Sequence, residues 1–397
     1  MRTTVLVIGG GATGVGTARD LALRGVDVTL VERGALAGGT TGRSHGVLHS
    51  GARYAETDPD DAAACLAENR TLREVAAGCL DETGGYFLQL DGDDPAYFER
   101  KRAACADLGM ETTTLDGDAL RERVPEASHA VERALAVPDA VISPSRLIVA
   151  NALDARAAGA TIHTHAPVES MTVADSRVQR VAVGGAVDAT VTVDAVVNAA
   201  GPWAERCAAL ADVSVPMRPT RGAMVAVENP GVDAVLNRCR PPADGDIVVP
   251  ASGAAVLGTT SVTVDDPDDF ERSDDEIDRI VAECGAMCPA VTAAPTVRTY
   301  WGVRPLYAPD EAGNDGRAIS RGFALLDHAD EGVEGLVTVV GGKLTTYRRM
   351  AEATADVVCD RLGVDAACRT ADRPLPGNED PARLDATDAF DVDAPAG

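Results

Sequence analysis

Three short segments set basic or imidazole side chains among glycines and aromatics, an unusual setting for a solvated charge. They are His49, Arg53 and Tyr54 in LHSGARY, Arg304 in TYWGVRPLY, and Lys343 in GGKLTTYR. Convergent arginines suit a phosphate or a carboxylate, because guanidinium offers paired donors in a fixed fork. The implied ligand is anionic. His49 is the candidate general base, since imidazole can take a hydroxyl proton near neutral pH; its competing role is a loop residue that only orients substrate or cofactor. Lys343 stands out for a second reason: among 36 basic residues it and Lys101 are the only lysines.

The elements that position these residues begin at the N-terminus. Residues 5–32 read VLVIGGGATGVGTARDLALRGVDVTLVE: a strand, a glycine turn, a helix, a second strand and a terminal acid. Gly9 allows the tight turn, Gly11 lets the backbone approach a pyrophosphate, and Gly14 lets the helix pack closely on the strand. The helix N-terminus, opening with Ala12 and Thr13, then faces the phosphates with free N–H groups and its positive dipole end. Glu32 is placed to accept hydrogen bonds from ribose hydroxyls, and an acid there disfavours NADP. A lone GxGxxG is weak evidence; the complete βαβ unit is strong.

Residues 34–46, rich in Gly and Thr, should wrap the cofactor. DAVVNAAGPW (194–203) reads as a buried strand ending in small residues, and residues 336–340 as another, followed by GGK and a helix over 344–362. Strands at 4–8, 27–32, 195–199 and 336–340 can form one parallel sheet whose carboxyl ends meet at a ligand crevice. The fold class is therefore α/β, a Rossmann-like dinucleotide-binding domain with a discontinuous β-rich substrate domain. Residues 1–85, 144–214 and 335–372 are assigned to the first, 86–143 and 215–334 to the second, and 373–397, rich in Pro, Asp and Ala, to a tail or linker. Helices are expected over 60–77, 95–108, 144–158 (capped by Ser143) and 273–287, the last opened by a capping box from Ser273 to Glu276. A strand is expected over 86–90, a three-stranded meander over 168–193, and further strands over 215–260.

At 397 residues two domains are the first expectation. No apolar run approaches the roughly 20 residues that span a bilayer, and the N-terminus reads as a core strand, so a cytoplasmic protein is expected. Nine scattered cysteines without a CxxC pair read as reduced, packed thiols, with no metal set. The net charge of −26 resembles proteins of salt-loving organisms, whose surface carboxylates are screened at molar salt, and it argues against nucleic acid as a partner.

With these segments assembled, the chain resembles the FAD-dependent glycerol-3-phosphate dehydrogenases, most closely the A subunits of the anaerobic three-subunit enzymes, from residue 3 to about residue 380. The matches, in order, are TGRSHGVLHSGARYA (41–55), VVNAAGPW (196–203), NRCRPPADGDIVVP (237–250), LGTTS (257–261), GVRPL (302–306), SRGFALLDH (320–328) and GGKLTTYR (341–348). The resemblance implies FAD held at its ADP end by Gly9, Gly11, Gly14 and Glu32, with the Val168 backbone near the adenosine. Thr40, Thr41, Ser44, Gly46, Gly201, Gly342 and Leu344 would surround the isoalloxazine, and Ala12, Thr13, Arg33, Ala200, Trp203 and Lys343 complete the cofactor contacts. Substrate contacts map onto His49, Arg53, Tyr54, Arg304, Lys343 and Thr345. Related aerobic enzymes carry a histidine where this chain has Asp246, which turns the base assignment toward His49.

The implied reaction is oxidation of sn-glycerol 3-phosphate to dihydroxyacetone phosphate. The phosphate would sit among Arg53, Arg304 and neighbouring donors, with His49 taking the C2 hydroxyl proton as hydride leaves C2 for flavin N5. Lys343 would stabilise the oxygen or the reduced flavin. Electrons would reach quinone through iron–sulfur (B) and membrane-anchoring (C) subunits, the chain itself being peripheral on the inner face of the membrane and not membrane-spanning. The A subunits also carry a cysteine-rich C-terminal region, for which no ligand set can be placed here. The residues leave open a related flavoenzyme acting on a 2-hydroxy acid or N-methyl amino acid, a non-catalytic flavin electron relay, and an RNA-modifying flavoprotein.

Overall fold

The computed structural model describes residues 1–309, 322–385 and 389–393. Ser320 and Arg321 of the SRGFALLDH match lie outside them. Val5–Ile8 is buried on both faces, as a parallel strand covered by two layers must be. It pairs in parallel with Val28–Val31 and Ala195–Asn198, and Leu336–Gly341 and Thr161–His163 extend the sheet on either side. Val5 and Val7 face the helices Ala12–Leu23, Pro144–Ala157 and Tyr347–Leu362. Leu6 and Ile8 face the antiparallel meander Val168–Ala174, Arg177–Val183 and Ala189–Thr192.

A sixth strand, Phe323–Asp327, lies antiparallel on Leu336–Gly341. This corrects the expected boundary, which gave residues 323–327 to the substrate domain. All five residues are partly buried, and the edge of the sheet supplies the partner that such a run needs. Ala140–Ile142 likewise leaves its expected domain, pairing with Val47–Leu48 and Leu80–Asp81 in a small sheet between the two larger ones.

The second large sheet has nine strands, running from Val262–Thr263 through Thr220–Glu228 and Val235–Arg238 to Thr113–Asp116, with Thr296–Arg304 paired on Thr220–Glu228. One face packs on helix Asp274–Met287 through Leu236, Leu257, Ile280 and Cys284. The other carries Met224, Val235, Ile247 and Tyr300 against Val47 and Val141, turned toward the nucleotide-binding sheet.

Three local expectations are corrected. Ser273 makes no side-chain cap on helix Asp274–Met287. Glu276 instead accepts from buried Arg221 at 2.5 Å and from Thr260 at 3.2 Å, because an unpaired buried guanidinium costs more than an open cap. The last long helix starts at Tyr347, not residue 344, since Lys343 to Thr346 form a separate hydrogen-bonded turn. The stretch from Arg373 is not a free tail. Arg373 binds Asp154, Leu375 and Leu384 are buried in the nucleotide-binding core, and Asp391 and Asp393 bond the backbone of Leu36. All nine cysteines are free and eight of them are buried.

Candidate active site

The glycine turn and the loop after Glu32 build one end of the site. Gly9 has φ +115°, and a side chain there would strike the Ala199 carbonyl; at Gly14 a Cβ would lie 1.9 Å from the Gly9 carbonyl oxygen. Glycine alone lets the helix begin so close to the strand end. Gly11, the capping position of that helix, leaves its terminus open, and Ala12 N donates to Thr41 Oγ1 at 3.0 Å. Glu32 accepts from Gly10 N at 2.7 Å and from Gly34 N at 2.9 Å, which anchors the acid at the strand end.

A cavity of about 590 Å³ runs from this end to the Gly341–Gly342–Lys343 turn, within the size range of cofactor pockets. Gly9, Gly11, Ala12, Thr13, Glu32, Arg33, Thr40, Thr41, Ser44, Val168, Ala200, Gly201, Trp203, Gly342, Lys343 and Leu344, all expected at the cofactor, line it. Two expected residues do not. Gly14 supports the turn from behind, and Gly46, with φ +70°, packs on the Ile142 carbonyl, its own carbonyl accepting from Ile142 N at 2.6 Å. At the other flank the Arg33 guanidinium stacks 4.0 Å from the Trp203 ring. Arg33, Trp203 Nε1 and Arg206 all donate to Asp268, which reaches across from the substrate domain.

The cavity fits a flavin dinucleotide: a close-approach glycine turn and an open helix terminus for the pyrophosphate, and a carboxylate at the ribose position.

Beyond Lys343 the chain brings the basic residues together. His49 N donates to Thr345 Oγ1 at 3.0 Å, joining the two loops. Thr345, expected at the substrate, is fully buried here, its hydroxyl accepting from His49 N and donating to the Val47 carbonyl, so that it braces the His49 loop. The neighbouring Ser50 is locked by buried Asp139, whose carboxylate accepts from Ser50 N and Oγ, both at 2.7 Å. The His49 ring meets Tyr54 edge-on at 5.7 Å, and Lys343 Nζ lies 4.3 Å from the Tyr54 centroid while paired with Asp61. Arg53 donates to Asn237 Oδ1 at 3.0 Å and lies 3.9 Å from Asp246.

Arg304 reaches the same place from the sheet, donating to Thr259 Oγ1 at 3.2 Å and the Thr260 carbonyl at 3.1 Å. Glycines on the sheet clear the space. A Cβ at Gly222 would lie 2.7 Å from Arg304 Nη2, and one at Gly258 would lie 2.6 Å from His45 Nε2. Burial, then Arg53, Lys343 and His45, hold the His49 imidazolium well below its usual range. Burial, then Arg304 and Arg53, bring His45 down to about 3. Both rings are neutral, the form a general base requires.

His45, Asn237 and Asp61 escaped the sequence reading. His45 sits four residues before His49 in the same glycine-rich loop, and Asn237 opens the NRCRPPADGDIVVP segment; those placements were the available signals. Asp246 is buried, accepting from Arg240 and Ala243 N, and burial raises its proton affinity.

A family model described as FAD dependent oxidoreductase matches residues 4–348. The chain is 46% identical to the A1 subunit of the anaerobic glycerol-3-phosphate dehydrogenase of Haloferax volcanii, over 99% of this chain and 70% of that one. It is 42% identical to the A subunit of the Escherichia coli K12 enzyme, over 98% and 73%. Among solved structures it is similar to a glycerol-3-phosphate dehydrogenase from Bacillus halodurans complexed with FAD (TM-score 0.72, 23% identity, covering 95% of this chain and 68% of that one). It is also similar to a glycine oxidase from Geobacillus kaustophilus (TM-score 0.75, 23% identity, 90% and 94%). At such identities these structures bear on the fold, an α/β flavoprotein with a β-rich second domain. No helix among the described residues is long and apolar enough to cross a membrane.

Proposed function

This chain belongs to the FAD-dependent oxidoreductases, among the A subunits of anaerobic glycerol-3-phosphate dehydrogenases, and from that premise we propose that it oxidises sn-glycerol 3-phosphate to dihydroxyacetone phosphate. The observation that carries the reading is the meeting of His49, Arg53, Arg304 and Lys343 beyond the Lys343 end of a cavity that fits the cofactor.

Bound FAD supplies the two-electron acceptor for the C2 hydride. Gly9, Gly11, Ala12, Thr13, Glu32 and Arg33 hold its ADP half, with Val168 beside them. Thr40, Thr41, Ser44, Ala200, Gly201, Trp203, Gly342 and Leu344 wall the remainder, and Gly14 and Gly46 shape those walls from behind. Arg53 and Arg304 bind the phosphate as paired cationic forks. Tyr54 and Lys343 close the pocket, Lys343 bringing positive charge toward the oxygen at C2. The neutral His49 ring, oriented through Thr345 and Ser50, takes the C2 hydroxyl proton. Fixing donors and base in one geometry is the protein's share of the rate.

The relatives are named as A subunits, so partner subunits complete the assembly. We assign them the iron–sulfur and membrane-anchoring roles that pass electrons to quinone, with this chain on the cytoplasmic face. An anaerobic titration of the FAD-loaded protein in molar KCl tests the reaction. Glycerol 3-phosphate should bleach the flavin band stoichiometrically, and 2-hydroxyglutarate and sarcosine should not. An unchanged spectrum with glycerol 3-phosphate would falsify the assignment.

A further inference from the structure

Among the described residues, two buried polar atoms without a hydrogen-bond partner lie around Arg53: Nε2 of His45 and Nδ2 of Asn237. Asn237 is 1% exposed and belongs to the strand Val235–Arg238. Val235 packs with Val47 and Tyr300 on the side facing the nucleotide-binding sheet, whereas Leu236 enters the opposite core. The two-residue period of a strand therefore places Asn237 on the active-site side. Its Oδ1 accepts from Arg53 Nη1 at 3.0 Å. That bond fixes the amide orientation, because turning it over would set N–H donors of the two groups face to face.

What remains is an amide N–H₂, fully enclosed, beside a guanidinium that the proposed reaction assigns to an anion. Leaving a buried donor unmet is costly, because its hydration is lost with nothing in return. A ligand that presents an oxygen acceptor to Arg53 satisfies both groups at once. The one acid near Arg53 on this strand pair, Asp246, is already committed to Arg240 and Ala243 N.

We propose that Asn237 is a substrate-binding residue, holding the Arg53 fork through Oδ1 and donating through Nδ2 to a phosphoryl oxygen; the inference rests on glycerol 3-phosphate being the substrate. A site that hydrogen-bonds a group rejects analogues lacking it, because its own polar atoms are then left unpaired. Asn237 thereby favours the phosphorylated triose over its unphosphorylated form.

The test uses the FAD-loaded full chain in molar KCl, with calorimetric dissociation constants for dihydroxyacetone phosphate, inorganic phosphate and dihydroxyacetone. Asn237→Asp keeps an oxygen for Arg53 and loses the donor; Asn237→Ala loses both. Both variants should bind the two phosphates at least tenfold more weakly and leave dihydroxyacetone binding unchanged. In wild-type protein the Asn237 side-chain amide resonance, assigned by its loss in N237D, should shift when phosphate is added. Wild-type affinity in N237D, or an unmoved resonance, overturns the inference and leaves Asn237 as a support for Arg53. A wild-type protein that binds neither phosphate overturns the substrate reading and the inference with it.

Discussion

At the scale of single residues, the active site is governed by how strongly charge is enclosed. His45 and His49 lie among Arg53, Arg304 and Lys343, and burial together with those cations keeps both rings unprotonated. The ring proposed as the base, His49, thus has no proton to lose first. The same enclosure has a consequence for stability. In the unfolded chain each imidazole binds a proton near pH 6.5, while in the native protein it does not. The stability these rings contribute is complete above pH 6.5 and falls as pH drops, toward about 3 for His45. Each ring should add up to about 1.4 kcal/mol per pH unit to that loss. Urea unfolding in high KCl at pH 7.5 and pH 5.0 measures it, and His45→Asn should flatten the dependence. An unaltered dependence in that variant would place the titrating group elsewhere.

At the scale of elements, a few buried ion pairs hold the loops that carry chemistry. Both lysines of the chain grip one segment. Lys101, from helix Pro95–Asp107, bonds Glu56 at 2.6 Å and the Ala52 carbonyl at 2.9 Å, and Lys343 pairs with Asp61. Arg53 and Tyr54 lie between these anchors. Glu276 plays a comparable part for the sheet, tying helix Asp274–Met287 to Arg221 on the strand next to Arg304. Because Arg221 and Glu276 are both buried, removing the carboxylate leaves a cation without its counter-charge. Glu276→Ala should destabilise the protein by about 3–5 kcal/mol. A capping-box role would account for only about 1 kcal/mol. Chemical denaturation at fixed KCl separates the two.

At the scale of the whole molecule, charge dominates. The chain carries 62 acids against 36 bases, and the surface has no lysine, since both lysines are engaged inside. Between molar and about 0.1 M salt the Debye length grows from about 3 to about 10 Å, so surface carboxylates begin to repel one another. Exposed contacts between the domains respond in the opposite sense. Asp268 with Arg33 and Arg206 is half-exposed and strengthens as salt is removed, although such pairs are worth little. Self-repulsion over the whole surface outweighs them. The thermal midpoint should therefore drop on dialysis from 2 M to 0.1 M KCl, and sucrose, which does not screen charge, should restore little of it. A midpoint independent of salt would sink this account.

The amino-acid sequence alone was enough for the nucleotide-binding unit, because its parts are local: Gly9, Gly11, Gly14 and Glu32 act within one strand, turn and helix, and burial on both faces is written into VLVI and VTLV. The meander and most helices were legible for the same reason, their periodicity and Ser143-type caps being contained in short windows. The LHSGARY, GVRPL and GGKLTTYR segments could be named as chemically active from their odd composition, yet nothing in them says how they meet. Only the tertiary structure brings Arg304 past Gly222 to within reach of His45. It also joins Thr345 to the His49 backbone, moves residues 323–327 into the nucleotide-binding sheet, and takes Glu276 from its cap to Arg221. Each of these depends on desolvation, which has no signature in a local window. A charge or hydroxyl is assigned its role by the partner it finds once water is gone, and that partner lies, in these cases, between 10 and 296 residues away.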